Sequence, residues 1–533
     1  MSKASYVVLV TDKVSGDALN PLYEDERFRV VQVDDSSEPA FREALAAADG
    51  LIVRSATQVE EEILSVAPKL TVVGRAGVGV DNIDLAAAAE RGIAVLNAPA
   101  GNTVSTAELT MALILAMVRR VAEADASVRQ GEWDRSRFKG AELRGRTLGL
   151  VGAGRIGGEV AKRCQAFGME VVAYDPYLTD ERAAELQLER TELDEVLERA
   201  DIVSLHVPLT ESTRGIINSE AIARMKKGSF VVNVSRGGVV DEAALGDALK
   251  LGHLAGAALD VYEVEPLDAD SPLRGSSNLL LTPHLGASTQ EAQELVASEI
   301  AEAVRAALAE GDLSRALNAP AIGGEVLRAL APLLELGRGL GRLACALSSG
   351  GVREIGVRYA GDSDDALKPL TAYALMGLLE PVLGPDQVNF VSAGHLAKQR
   401  GIAVARTKMS LHADYTEFVE LVLRTEGGSL RLAGALLGET HPRIVRIEDY
   451  HVDIVPAGTF IVLKNQDVPG VIGRVGTILG SHDINIAEYH QARLSKGGDA
   501  LAAISVDGDV GTTVREALLR LPEVSAAVVV LLG

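Results

Sequence analysis

The sequence predicts an α/β protein with two parallel-sheet domains, followed by an α+β domain and a ferredoxin-like βαββαβ unit. Short apolar runs alternate with helical patterns over residues 1–310, which is typical of parallel sheets. The segment NAPAIGG at 318–324 then separates off a region of mixed helices and strands. Residues 459–533 read as strand, helix, two strands, helix and strand, which is the ferredoxin-like order.

Composition limits the class of protein. A chain of 533 residues is too long for one core, so roughly two to four domains are expected. The formal net charge of −22 disfavours nonspecific binding to nucleic acid or to an anionic membrane. The two cysteines, Cys164 and Cys345, imply neither a disulfide framework nor a metal site, and a reducing cytoplasm suits them. We expect no targeting segment at the N-terminus, and the apolar helix at 109–118 is too short to span a bilayer.

The first domain begins with short β-type runs, at 6–10, 29–33 and 50–53. The stretch LTVVGRAGVGVDNID at 70–84 predicts a strand that ends in a glycine-rich loop. Residues 102–130 are rich in alanine, leucine and methionine and read as one long helix. A helix from Thr289 to Glu310 would carry the chain back to this domain.

The segment 148–175 carries a dinucleotide fingerprint. Gly152, Gly154 and Gly157 complete G-x-G-x-x-G between an apolar strand and an amphipathic helix. The first glycine allows the tight turn, the second lets backbone approach a pyrophosphate, and the third lets the helix pack on the strand. Asp175 ends the next strand, where a carboxylate suits the ribose hydroxyls of NAD and repels the 2′-phosphate of NADP. The pattern predicts a Rossmann-like NAD site, with a purely structural βαβ turn as the alternative.

Later segments extend this organisation. Further strands of the second domain are expected at 201–207, 230–234, 255–260 and 279–282. In the middle region, the sequence pattern predicts helices near 326–347 and 366–383, and strands near 352–359 and 443–455. Four domains are expected. Residues 1–100 and 287–317 form a substrate-binding domain, and residues 101–286 form an NAD-binding domain. Residues 318–456 form an intervening domain, and residues 457–533 form a regulatory tail.

Three polar residues follow separate strands of the second domain: Arg236, Glu265 and His284. Because ligands bind outside the carboxyl ends of parallel strands, we expect these side chains to converge on the cofactor crevice. A histidine can accept a hydroxyl proton, a neighbouring carboxylate stabilises the imidazolium, and an arginine binds a substrate carboxylate. Together they indicate hydride transfer from a 2-hydroxy acid. Singly, the histidine would be an ordinary loop or core residue and the arginine a surface charge.

A second polar cluster is expected in the first domain, comprising Arg54, Ser55, Arg75 and Asn102. The backbone amides of Gly77 and Val78 could hold a carboxylate. Two arginines on adjacent strand ends suit a substrate with a second anionic group. A pair of solvated surface arginines explains the spacing equally well.

The stretches GRAGVGVDNID, GLVGAGRIGGEVA, NVSRGGVVDE, ALDVYEVEP and TPHLGAST resemble the D-isomer-specific 2-hydroxyacid dehydrogenase family. With its middle domain and tail, the chain is similar to the long-form phosphoglycerate dehydrogenases of that family. The resemblance implies NAD-dependent oxidation of 3-phosphoglycerate, the first step of phosphorylated serine biosynthesis. It implies a catalytic set of Arg236, Glu265 and His284, and substrate contacts at Arg54, Ser55, Arg75, Gly77 and Asn102. It implies cofactor contacts at Val78, Gly152, Gly154, Arg155, Ile156, Gly157, Asp175, Val207, Val234, Ser235, Asp260 and Gly286.

The remaining motifs imply assembly and regulation. Arg135 resembles a basic residue that family members lend to a neighbouring subunit, so a homo-oligomer, a tetramer, is expected. The tail resembles the ACT regulatory domain, in which Asn465, Asp467 and Asn485 would face an effector, typically L-serine. Position 465 departs from relatives, which often carry His or Tyr there. The stretch VNFVSAGHLAKQRGI at 388–402 resembles the intervening domain of long-form enzymes but departs from their usual Asn-Ala-Pro.

Two alternatives to this activity stay open. A dicarboxylic substrate such as 2-hydroxyglutarate would also suit Arg54 and Arg75. A non-catalytic NADH-sensing protein would keep the cofactor site without turnover. The intact Arg/Glu/His set argues against that sensor, and the acidic chain shows no nucleic-acid-binding stripe.

Overall fold

The computed structural model describes residues 6–14, 16–410, 414–438 and 440–532. Residues 1–5, where we expect no targeting segment, lie outside the described residues. The α/β class is confirmed, because two parallel sheets are followed by a mixed sheet and an antiparallel sheet. Within the described part of the chain, no helix combines the length and apolar character required to cross a membrane.

The first sheet contains strands β1 (Tyr6–Val10), β2 (Phe28–Gln32), β3 (Gly50–Val53), β4 (Val72–Arg75) and β5 (Ala94–Asn97). Its helices are α1 (Asn20–Tyr23), α2 (Pro39–Leu45), α3 (Glu61–Ser65) and α4 (Leu85–Glu90). The strands lie parallel in the order β2-β1-β3-β4-β5. Strands β3 and β5 are buried along their whole length, as expected for a parallel sheet covered on both faces.

The single helix expected over 102–130 is wrong, because the structure has α5 (Thr103–Val118) and α6 (Val121–Arg129). The chain turns at Arg120, whose backbone is left-handed with a φ of 54°. The Arg120 guanidinium donates to the carbonyl of Arg137 and to the side chain of Asn278. These long-range bonds hold the turn, and apolar periodicity does not report them.

The second sheet contains β6 (Thr147–Val151), β7 (Glu170–Tyr174), β8 (Glu189–Arg190), β9 (Ile202–Leu205), β10 (Ser229–Asn233), β11 (Leu254–Leu259) and β12 (Leu279–Leu281). Its helices are α7 (Arg155–Ala166), α8 (Asp180–Glu185), α9 (Leu193–Arg199), α10 (Ser219–Arg224) and α11 (Glu242–Lys250). The order is β12-β11-β10-β9-β6-β7-β8. Strand order reverses at β6, so a crevice opens outside the carboxyl ends of β6 and β9.

Helix α12 (Gln290–Glu310) returns the chain to the first sheet, as expected. The hydroxyl of Thr289 caps it by accepting from the N–H of Ala292. Val296, Ile300 and Val304 on α12 join the core of the first sheet. Short 3₁₀ helices lie at Asp17–Leu19, Pro272–Gly275 and Pro385–Gln387.

The intervening unit comprises α13 (Gly324–Ala329), α14 (Ala331–Leu347), β13 (Val352–Ala360), α15 (Leu367–Leu383), α16 (Ser392–Gln399), β14 (Ala403–Lys408), β15 (Glu417–Thr425), β16 (Gly428–Leu437), β17 (His441–Ile447) and β18 (Tyr450–Ile454). Its sheet order is β14-β13-β15-β16-β17-β18. The helix expected near 326–347 is two helices. The strand expected near 443–455 is a hairpin that turns at Glu448, where φ is 53°. Strands β14, β15 and β16 were not expected.

The tail unit comprises β19 (Thr459–Gln466), α17 (Val471–Ser481), β20 (Ile486–Arg493), β21 (Asp499–Val506), α18 (Thr512–Leu519) and β22 (Val524–Leu531). The order β20-β21-β19-β22 is the ferredoxin-like arrangement that the sequence predicts. One face of the sheet packs on α17 and α18. On the other face, Phe460 and Val462 share a core with Leu340 of α14. The tail unit and the intervening unit are therefore joined by one continuous core.

Candidate active site

The glycine-rich turn lies between β6 and α7, at the carboxyl edge of the second sheet. A Cβ on Gly152 would lie 2.6 Å from the carbonyl oxygen of His206, and one on Gly157 would lie 2.2 Å from the carbonyl oxygen of Gly152. Gly152 also has a φ of +95°, which favours glycine. A Cβ on Gly154 would meet open space among the described residues. Two glycines thus close the turn by their packing, and the third leaves a cradle at the start of α7 for a pyrophosphate.

Asp175 stands beside this cradle, directly after β7. Its Oδ2 accepts from the backbone N–H of Ala153, and its Oδ1 accepts from that of Tyr177, each at 2.9 Å. The carboxylate is therefore fixed in place, and its remaining lone pairs suit ribose hydroxyl donors. Other expected cofactor positions lie at the same edge, since they begin α7 or follow β9 and β10: Arg155, Ile156, Val207, Val234 and Ser235. Val78 follows β4 of the first sheet, in the loop that faces Arg236.

His284 and Glu265 form a close pair. The imidazole Nδ1 lies 2.6 Å from Glu265 Oε2, and Glu265 Oε1 accepts from the backbone N–H of Tyr262 at 3.0 Å. This bond to Glu265 raises the pKa of His284 against the lowering effect of burial. Burial is the largest single effect on the pKa of Glu265 and raises it, but the bonds from His284 and the Tyr262 N–H, with the charges of His284 and Arg236, together shift it downward. With Nδ1–H directed at the carboxylate, Nε2 is the nitrogen left to accept a proton.

Asp260 holds the loop that presents His284. Its Oδ1 accepts from the Thr282 hydroxyl at 2.6 Å and from the Leu285 N–H at 2.7 Å, and its Oδ2 accepts from the Gly286 N–H at 2.9 Å. The His284 N–H donates to the Asp260 carbonyl at 2.9 Å. Burial raises the pKa of Asp260, while these bonds favour its carboxylate. The fully buried carboxylate is therefore the anchor of the histidine loop.

Arg236 lies across the cleft from the loop that follows β4. Its Nη1 donates to the carbonyl of Ser235 at 2.7 Å, and its Nε lies 3.3 Å from Asp81 Oδ2. A Cβ on Gly79 would lie 2.1 Å from Arg236 Nη2, so this glycine leaves room for the guanidinium. Asp81 was not predicted as a site residue, and the only sign of it in the sequence is its place in GRAGVGVDN, six residues after Arg75.

Arg75 is largely withdrawn from solvent. Burial, followed by the charge of Arg236, lowers the pKa of Arg75 to about 10. A Cβ on Gly77 would lie 1.4 Å from Arg75 Nη1, so only glycine fits there. Among the described residues, no group accepts a hydrogen bond from the buried Arg75 Nε. A buried cation with an unused donor is costly unless an anion completes it.

The residues around Arg75 also favour an anionic ligand at this position. Arg54 adds a like charge that further lowers the pKa of Arg75. The strand end bearing Arg54 is braced by Asp12, whose Oδ2 accepts from the Arg54 N–H at 2.8 Å. Asn102 lies at the start of α5, and no described residue donates to its buried Oδ1. The alternative of two solvated surface arginines does not describe Arg75. Asp12 was not predicted as a site residue, and the only sign of it in the sequence is its position shortly after β1.

His206 is a third residue near the site that was not predicted from the sequence. It follows β9, and its carbonyl lies against the glycine-rich turn at Gly152. Its Nε2 lies 2.8 Å from the Ser204 hydroxyl, and burial lowers its pKa to about 4. A neutral histidine packed under the turn supports that turn and does not compete with His284 for proton transfer.

Other expected site residues lie apart from this cleft. Arg135 lies in an exposed loop after α6, and no described residue forms a hydrogen bond or ion pair with it. Asn465 is 3% exposed, and its Oδ1 accepts from Gln491 Nε2 at 3.3 Å. Asp467 pairs with Arg493 at 2.9 Å at one end of the tail sheet. Asn485 donates to an acid, Asp507, at the opposite end. Within one chain the three regulatory positions do not form a common site.

Comparison with known families agrees with this geometry. A model described as "D-isomer specific 2-hydroxyacid dehydrogenase, NAD binding domain" matches residues 111–286. A model described as "D-3-phosphoglycerate dehydrogenase intervening domain" matches residues 329–448. The second sheet is therefore the NAD-binding part of the chain, as the glycine-rich turn predicts.

Solved structures resemble the first two sheets. The TT0316 protein from Thermus thermophilus is 41% identical, with a TM-score of 0.52, and covers 57% of this chain and 96% of its own. An NAD-dependent formate dehydrogenase from Staphylococcus aureus, solved in complex with NAD, is 29% identical, with a TM-score of 0.51. The match covers 57% of this chain and 96% of that one.

Relatives match over nearly the whole chain. The D-3-phosphoglycerate dehydrogenase of Bacillus subtilis is 40% identical over 520 residues, which cover 97% of this chain and 98% of the relative. That of Archaeoglobus fulgidus is 41% identical over 518 residues, which cover 96% of this chain and 98% of the relative. That of Mycobacterium tuberculosis is 42% identical over 515 residues, covering 96% of each. With its glycine-rich cradle, histidine–glutamate pair and arginine cluster, the chain belongs to the D-3-phosphoglycerate dehydrogenase family.

Proposed function

We propose that the protein oxidises D-3-phosphoglycerate to 3-phosphohydroxypyruvate with NAD⁺, the first step of phosphorylated L-serine biosynthesis. The observation that carries this proposal is the buried Arg75, with an unused Nε, in a cluster with Arg54 and Arg236. Such a cluster suits a substrate with two anionic groups. The similarity over nearly the full chain to relatives named D-3-phosphoglycerate dehydrogenase supports the choice.

The residues at the second sheet fit NAD. The open cradle at Gly154 and the free N–H groups of α7 suit a pyrophosphate. The fixed carboxylate of Asp175 suits two ribose hydroxyls and repels a 2′-phosphate. When bound, NAD⁺ supplies the hydride acceptor. The proposed contacts are Val78, Gly152, Gly154, Arg155, Ile156, Gly157, Asp175, Val207, Val234, Ser235, Asp260 and Gly286.

Proton transfer is assigned to His284. Its Nε2 takes the proton of the substrate hydroxyl as the bond from hydrogen to carbon 2 breaks. Glu265 keeps the imidazole in the tautomer with Nδ1 protonated and stabilises the imidazolium that forms. Asp260 fixes the loop and so positions His284.

Substrate binding is assigned to the arginines. Arg236 binds the substrate carboxylate and polarises the carbonyl as it forms at carbon 2. The phosphate is assigned to the cluster of the first sheet: Arg54, Ser55, Arg75, Gly77 and Asn102. The unused Arg75 Nε and the neighbouring glycine-rich loop supply donors for it. The two anionic groups thus fix carbon 2 between His284 and the cofactor cradle.

The Glu265→Gln variant tests the role of the carboxylate. Oxidation requires neutral His284, so kcat/KM should rise with pH through a pKa that lies above the ordinary value of about 6.5. Glutamine cannot stabilise the imidazolium, so the pKa of His284 falls and this acid limb shifts to lower pH. The reverse reaction requires the imidazolium form of His284, so its kcat/KM should fall as pH rises through the same pKa. In the variant this falling limb should also shift to lower pH. An unchanged limb in both directions would remove Glu265 from the proton-transfer unit.

The substrate is tested by following NADH oxidation with 3-phosphohydroxypyruvate and, separately, with 2-oxoglutarate. We expect a strong preference for the phosphorylated acid. Preference for 2-oxoglutarate would keep the fold and the catalytic residues but assign the enzyme to 2-hydroxyglutarate. NADH binding without turnover on either acid would favour the sensor alternative.

Assembly and regulation belong to the same proposal. We infer a homo-oligomer, a tetramer, in which the exposed Arg135 reaches the active site of a neighbouring subunit. Pairing of two tail units would bring Asp467 of one copy near Asn485 of another, because the two lie at opposite ends of one sheet. L-Serine is the proposed effector at that junction, with Asn465 beneath it. L-Serine added to the NADH assay should lower activity, and an unchanged rate at saturating serine would exclude this role.

The proposed division of the chain is 1–100 with 287–317 for substrate, 101–286 for NAD, 318–456 for the intervening domain and 457–533 for the tail. We place the reaction in the cytoplasm, where the unpaired Cys164 and Cys345 would remain reduced.

A further inference from the structure

The intervening unit touches the first sheet at a small, well-defined contact between α16 and the end of α4. Asn389 Nδ2 donates to the carbonyl of Gly92 at 3.0 Å. Gln399 Nε2 donates to Glu90 Oε2 at 3.4 Å, near the other end of α16. Asn389 belongs to the stretch VNFVSAGH, for which the proposed function has no role. The contact joins residues 297 positions apart in the chain.

The Asn389 side chain is locked in position for this contact. Its Oδ1 accepts from the backbone N–H groups of Val391 and Ser392, each at 2.9 Å. The Ser392 hydroxyl accepts from the Asn389 N–H at 2.9 Å. With its oxygen occupied at the start of α16, the amide has only its NH₂ group to present to α4. A fixed donor of this kind loses little conformational entropy on bonding to Gly92.

Gly92 is shaped to receive Asn389. Its φ is +69°, as in glycines that follow the last turn of a helix. A Cβ there would lie 2.0 Å from Asn389 Nδ2. The contact therefore requires glycine both for backbone conformation and for space.

Helix α4 connects this contact with the active site. Asp84 caps α4 by accepting from the N–H groups of Ala86 and Ala87. The residues just before Asp84 form the loop that carries Gly77, Val78 and Asp81. This short capped helix therefore has one end at the loop and the other at Asn389.

The other side of the contact leads into the tail. Ala393, Leu396 and Ala397 of α16 belong to the same core as Phe460 and Val462 of the tail sheet. Because this core is continuous, a displacement of the tail unit is transmitted to α16 by packed side chains.

We propose that the Asn389–Gly92 contact is a coupling site between the regulatory half of the chain and the loop at 76–84. Through it, the position of the intervening unit biases how this loop is held around cofactor and substrate. Coupling is reciprocal, so a ligand that orders the loop must also stabilise the contact. The inference rests on the proposed function in two respects, namely that NADH binds at the glycine-rich turn and at Val78, and that the tail unit is regulatory.

Amide hydrogen exchange of the full-length protein, with and without NADH, tests the coupling. NADH should slow exchange in α16 of the unmodified protein by at least about fivefold, the lower range of allosteric coupling. In Asn389→Asp the Oδ1 bonds to α16 are kept, but the donor to Gly92 is lost and two oxygens face each other. That variant should lose the NADH-dependent protection of α16 while keeping protection of the glycine-rich turn at 152–157.

A pair of glycine variants separates the contact from backbone strain. Gly92→Ala and Gly252→Ala both place alanine at a φ of +65° to +69° after a helix, and only the first meets Asn389. Gly92→Ala should uncouple α16 from NADH, and Gly252→Ala should not. If NADH protects 152–157 but leaves α16 of the unmodified protein unchanged, the coupling site is overturned.

A cofactor that protects neither segment would contradict the NAD assignment instead. The unliganded protein then decides the coupling site independently. Asn389→Asp should speed exchange over 76–84 relative to the unmodified protein, and identical exchange there would overturn the proposal.

Discussion

Replacing His284 by alanine should lower turnover by about 10²–10⁴-fold, the usual contribution of a positioned general base. The variant removes the only group paired with Glu265 Oε2 among the described residues. No other side chain takes over the role proposed for His284 Nε2 as proton acceptor. Affinity for NADH is retained, because the imidazole does not form part of the cradle at Gly152, Gly154 and Gly157. Steady-state turnover and NADH fluorescence titration measure the two quantities separately.

His451→Ala is the matched control, because His451 is an exposed histidine on β18 of the intervening unit. It should leave turnover unchanged. Near-normal turnover of His284→Ala would exclude His284 as the base. Loss of NADH affinity together with turnover would instead indicate that the histidine loop, anchored on Asp260, had collapsed.

Replacing Arg75 by methionine should raise KM for the phosphorylated substrate about 10- to 100-fold, because roughly 1.5–3 kcal/mol of charge-assisted hydrogen bonding is lost. Stability should be unchanged or higher. Burial lowers the pKa of Arg75 to about 10, and Arg236 and Arg54 repel its charge. Removing a buried charge without a paired acceptor relieves that cost in the free protein. Initial rates and thermal unfolding of the same preparation test the two effects together.

Arg29→Met is the control, because Arg29 is an exposed arginine of the first sheet, on β2. It should leave KM unchanged. Equal losses for 3-phosphohydroxypyruvate and 2-oxoglutarate in Arg75→Met would mean that Arg75 binds a group common to both acids. An unchanged KM would remove Arg75 from the substrate site, and a markedly lower melting temperature would make its role structural.

The glycine-rich turn and the meeting of the three proposed catalytic residues could be predicted from local patterns in the chain. Glycines at 152, 154 and 157 report backbone geometry directly, since their spacing follows from one strand, one turn and one helix. Arg236, Glu265 and His284 each follow a different strand. Parallel strands end at one edge, so their convergence could be expected before any side chain was placed. The ferredoxin-like order of the tail follows equally from local patterns.

Three-dimensional packing was needed to show which side chains are buried, paired or left open. It distinguished the buried Arg75 from a solvated surface arginine, and it set Asp81 beside Arg236 across the cleft. It broke the long apolar helix at Arg120 and separated Asp467 from Asn485. It also joined Asn389 to Gly92. These are contacts between residues far apart in the chain. Their energies depend on burial and on distances between atoms, which no local periodicity encodes.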